Sequence, residues 1–60
     1  MSKVIDSNGN EIYYEAAVML MDDEIREEVH RDLAPCTDQE FFTEYEKRHY
    51  DKYGEDFTVN

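Results

Sequence analysis

The sequence predicts a mainly α fold of the small α+β kind: a short N-terminal β-hairpin, a short helix, and two longer helices forming an antiparallel hairpin. Three observations predict it. Asn8-Gly9 separates two short β-prone runs. Apolar residues then recur every three or four positions from Tyr14 to Leu33. Finally, LAPCTDQEF, Leu33 to Phe41, carries the stop signal of one helix and the start signal of the next.

The hairpin is expected over about 3–14. Val4 and Ile5 precede the turn, and Ile12, Tyr13 and Tyr14 follow it. Asn8-Gly9 tolerates the positive φ that a tight hairpin turn demands.

One helix from Tyr14 to Ala34 would satisfy the apolar spacing, since Tyr14, Val18, Met21, Ile25, Val29 and Leu33 fall in register. At ~100° per residue, however, Asp22 would project between Val29 and Leu33 in the middle of the apolar stripe. As an N-cap it is well placed, with Asp23 and Glu24 in the first turn facing the helix dipole. The expectation is therefore a helix over about 15–21, a break, and a second helix over about 22–34.

Pro35 disfavours the α region for the residue before it and stops that second helix. Thr37 and Glu40 then form the Thr-x-x-Glu of a capping box, while Cys36 and Phe41 occupy the two positions of a hydrophobic staple. The third helix spans about 37–53, with Gly54 as its left-handed terminator. The expected core is Leu20, Met21, Ile25, Val29, Leu33, Phe41, Phe42, Tyr45 and Tyr53, with Phe57 and Val59 folding back onto it.

Sixty residues make a single domain, 1–60, that buries only roughly 60% of the surface its unfolded chain exposes. The single cysteine excludes an internal disulfide, and no segment reads as a signal peptide, so a reducing cytoplasm is expected. The longest apolar run, Ala16 to Met21, is far too short to span a bilayer, and no membrane partner is expected.

Charge narrows the partners. Sixteen acids against six bases give a net charge of −10 and a pI near 4.3. That field repels nucleic acid and anionic lipid and attracts a basic protein surface. The expected partner is a protein with a basic surface, with no direct nucleic-acid binding. Self-association as a homodimer stays open. Five tyrosines and three phenylalanines set the chain apart from an acidic disordered tail.

Chemistry-bearing patterns are few. Cys36 at a helix start could be an activated thiol, but Asp38 and Glu40 oppose a thiolate, and the staple explains the residue. DSNGNEIYYEAA has acidic or amide residues at alternate positions, as in a calcium loop. It carries Glu11 where that loop needs glycine and Ala17 where it needs a bidentate glutamate. Two Glu-x-x-His pairs, Glu27–His30 and Glu46–His49, have the spacing used in di-iron bundles. Glu27 and His30 fall off the apolar stripe, whereas such a site points inward. No enzyme activity, cofactor or metal site is expected.

The candidate interface comprises Tyr13 and Tyr50, more aromatic surface than so small a core can bury, and the outward acids Asp23, Glu27, Glu44 and Glu46. The sequence supports three functions. The preferred one is a protein-interaction module that regulates its partner through the aromatic patch. The first alternative is a nucleic-acid-mimic inhibitor of a host defence nuclease, of the anti-restriction or anti-CRISPR type, in which carboxylates stand in for phosphates. The second is a metal-binding helical protein.

MDDEIREEVHRDLAPCTDQEFFTEYEKRHYDKYGEDF, Met21 to Phe57, resembles a group of small acidic accessory proteins of bacterial plasmids, phages and integrative elements. LAPCTDQEF is its most specific part. The resemblance implies a bacterial cytoplasmic protein of mobile DNA and assigns no catalytic residue.

Overall fold

The computed structural model describes residues 2–59. Strands β1 (Lys3–Ile5) and β2 (Glu11–Tyr13) pair antiparallel, with Lys3 opposite Tyr13, Val4 opposite Ile12 and Ile5 opposite Glu11. Helices α1 (Tyr14–Leu20), α2 (Asp23–Leu33) and α3 (Asp38–Tyr53) follow. The expected architecture is present, with helix limits within a residue or so of the sequence reading.

The hairpin turn differs in detail. Asp6 organises it: its carboxylate Oδ1 accepts from the Asn8 and Asn10 backbone N–H groups, and its carbonyl accepts from Gly9. Within this turn only Gly9 takes a positive φ, 85°, so Asn8 need not enter the left-handed region. Asp6 N–H donates to the Asn10 carbonyl and closes the loop around Ser7, Asn8 and Gly9, where a tight hairpin turn would enclose two residues.

The chain breaks where the misplaced acid required it. Asp22 is extended, and its carboxylate caps α2 by accepting from Glu24 and Ile25 N–H. Its own backbone N–H donates to the hydroxyl oxygen of fully buried Tyr45, at 2.7 Å. At the other junction, Ala34 is extended before Pro35, and α3 opens with the reciprocal Thr37–Glu40 capping box. Cys36 is half-buried against the cluster containing buried Phe41, as a staple requires.

The core is Val4, Ala17, Met21, Ile25, Val29, Phe41, Phe42 and Tyr45. Six of the nine expected core residues are therefore buried. Leu33 is only half-buried at the end of α2. Leu20 is exposed because the extended backbone at Met21 carries the next side chain inward in its place. Tyr53 is exposed because it ends α3 beside the core, with its hydroxyl reaching Asp22. Gly54, at φ 72°, then turns the chain back, so that the Phe57 ring packs edge-on against Phe42 and Tyr45.

Candidate functional site

Three polar ties hold β1 and its turn along α3. The Ser2 hydroxyl donates to Asp38, the Gln39 side-chain amide both accepts from Ile5 N–H and donates to Ile5 C=O, and Ser7 N–H donates to Glu46. The glutamine takes the hydrogen-bonding positions that another strand would occupy, which blunts the open sheet edge. A groove of about 490 Å³ lies between turn and helix, walled by Ile5, Tyr50 and Phe57 and rimmed by Asp6, Glu46, Asp51 and Asp56. Among the described residues, Lys47 is the one base in its lining.

The electrostatics of the surface are lopsided. Among the described residues, Asp22, Asp23, Glu24, Asp32 and Glu44 have a basic side chain within 4 Å, leaving eleven of the sixteen acids without one. Every such pair lies within α2, within α3, or between α3 and α2 with its Asp22 cap. Arg48, for instance, bridges Asp32 and Glu44 at 2.9 and 2.8 Å. All four groove acids are outside this network. Glu46 is half-buried, and its carboxyl is pushed above the usual range by that burial. Ser7 N–H opposes the shift, while the charges of Asp6 and Asp56 add to it.

The family model for Anti-CRISPR protein AcrIC5 matches residues 5–57. The chain belongs to the AcrIC5 family. No curated protein matches it significantly. Membership in AcrIC5 agrees with the sequence resemblance at the level of a small accessory protein of phages and mobile elements. The AcrIC5 match runs from Ile5 to Phe57, which are also the first and last residues lining the groove.

Within this AcrIC5 chain the sequence-derived interface residues separate. Glu46 and Tyr50 come together in the groove. Glu44, two residues from Glu46, faces the other side of α3 and pairs with Arg48; Asp23 pairs with Arg26 on the solvent side of α2. Glu27 lines a separate concavity with Tyr14, His30, Cys36 and Phe41. Tyr13 lies on the outer face of the hairpin under the Lys3 ammonium, 5.4 Å from its ring centre. Ile5 shares that outer face through the register and also walls the groove, so it links the two tyrosines' surroundings. Sequence reasoning missed Ile5, Asp6, Asp56 and Phe57. Asp6 enters the sequence reading only through the rejected calcium-loop pattern; the fold-back of Phe57 after Gly54 is expected, but nothing local announces that it places Phe57 and Asp56 beside Tyr50 and β1.

The histidines are not similarly placed. His30 is exposed on α2, whereas the His49 ring sits among Tyr45, Tyr53 and Phe57 with Nδ1 3.0 Å from the Glu55 carbonyl oxygen. Among the described residues no three His, Cys, Asp or Glu side chains converge as metal ligands. Among the described residues, no helix is long and apolar enough to cross a membrane.

Proposed function

We propose that this chain inhibits a CRISPR defence system by binding a Cas protein where that protein holds nucleic acid, its carboxylates taking the place of phosphates. The AcrIC5 family match carries the reading. It favours the defence-inhibitor alternative over a general interaction module, and it supplies the class of partner. The net charge of −10 and the unpaired acids beside β1 support the mimicry, because a nucleic-acid-binding surface is basic. Inhibition then needs only occupancy of that surface and no chemical step.

The test has two stages. In bacteria whose active CRISPR system targets a phage, expression of the chain should restore plaque formation. With purified components, a Cas protein or complex should bind the chain, short duplex DNA should displace it, and added salt should weaken the complex steeply. A protein that leaves interference intact, or whose Cas complex is indifferent to DNA and salt, overturns the reading.

A further inference from the structure

We infer that the groove between β1 and α3 seats one arginine side chain of the partner, stacked on the Tyr50 ring and held by the Glu46 and Asp56 carboxylates. The inference rests on the proposed binding to a basic protein surface and specifies how one point of that surface is recognised.

Two independent features of the groove define its occupant. Its walls are apolar and partly open: Tyr50 is 55% exposed and Ile5 43% exposed, with the half-buried Phe57 ring beside them. Its rim is anionic, with four acids against Lys47 alone, and Lys47 forms no ion pair among the described residues. A phosphate or an acidic peptide would be repelled. A purely apolar side chain would desolvate the carboxylates without compensation. A long cationic side chain fits both features, because its methylene stem covers apolar surface while its head meets the carboxylates.

Arginine suits the site better than lysine. The guanidinium is planar, stacks on an aromatic face, and offers a fork of donors to carboxylates at the same time. An ammonium is compact and more strongly hydrated. Glu46 is already partly desolvated, crowded by Asp6 and Asp56, and bonded to only one backbone N–H among the described residues. A guanidinium would relieve that repulsion. The larger concavity beside Cys36 offers no comparable argument, because Arg26 and His30 line it together with Glu27 and Asp38.

The test uses the isotopically labelled full chain and N-acetyl-arginine-methylamide, titrated to tens of millimolar while backbone amide resonances are followed. Shifts should concentrate at Ile5, Ser7, Glu46, Tyr50 and Phe57. Tyr50→Ala and Glu46→Gln should each weaken the probe about tenfold. Exposed Tyr50 and the retained acceptor at Glu46→Gln leave the fold intact, which the spectra of the variants report directly. The lysine counterpart should bind more weakly. No shift, shifts spread over all the acidic surfaces, or equal shifts with the lysine probe or calcium chloride overturn the inference. Failure here leaves plaque restoration and Cas binding untouched, so loss of the arginine seat and loss of the inhibitor reading are told apart.

Discussion

The Tyr53 hydroxyl donates to the Asp22 carboxylate at 2.5 Å, joining the last residue of α3 to the N-cap of α2 across thirty-one residues of chain. Asp22 uses Oδ2 for this bond and Oδ1 for the cap, while its backbone N–H meets Tyr45. One aspartate thus fixes the break between α1 and α2 and the relative placement of α2 and α3.

A pH dependence with two edges follows. The Tyr53 bond, helped by the α2 N–H groups, lowers the Asp22 carboxyl below the usual range; the same bond, with some burial, raises the Tyr53 phenol. A lowered acid stabilises the fold above its unfolded pKa, and that contribution disappears as pH falls through the folded value. A raised phenol stabilises below its unfolded pKa, and that contribution disappears as pH rises through the folded value. Tyr53→Phe should therefore melt below the parent chain near neutrality. The gap should close below about pH 4 and again above about pH 10. Thermal melts of both proteins across this range check it; a gap independent of pH would show that the bond contributes nothing.

The junction before α3 makes a second prediction. Cys36 is half-buried beside Phe41, in the place a hydrophobic staple requires. Cys36→Ala should lose on the order of 1 kcal/mol of folding stability in urea titrations, by loss of buried apolar area. Cys36→Val should be nearly neutral, and if the chain inhibits CRISPR interference as proposed, both variants should still do so. A stable Cys36→Val protein that no longer inhibits would return the thiol to consideration as a functional group.

These junctions were the legible part of the fold. The capping box, the Pro35 stop and the Asp22 break are local chemistry, written within four or five residues of each boundary, and each is present. The core was less legible where a single residue decides it. Val4 is buried because the inner face of a three-residue strand holds only that side chain, and Ala17 because α1 approaches the core closely. The groove was the least legible. Glu46 and Tyr50 were suspected as an outward acid and an excess aromatic, but their joining depends on Gln39 holding β1 and on the return of the chain after Gly54. The fold-back of Phe57 is expected from Gly54, but its meeting with β1 and Tyr50 is a long-range event with no periodic signature. Glu44 and Glu46 looked equivalent by composition, yet α3 sends one to Arg48 and the other to the groove.

That difference makes Glu46 the sharpest test of whether the acids serve stability or binding. Glu46 accepts Ser7 N–H, but its charge is partly buried and opposed by Asp6 and Asp56. Because its carboxyl is raised, the ionised form costs folding stability at pH values above its folded pKa, and the cost fades as pH falls through that value. Glu46→Gln keeps an acceptor for Ser7 and removes the charge. The variant should melt above the parent at pH 7, with the advantage shrinking in acid. Glu44→Gln should instead melt below the parent at pH 7, because Arg48 then loses one of its two carboxylate partners. If the groove carries binding, Glu46→Gln should also inhibit CRISPR interference less well despite being more stable, a combination no structural role produces. A Glu46→Gln protein that melts lower than the parent and inhibits as well would reduce Glu46 to a tether for the hairpin turn.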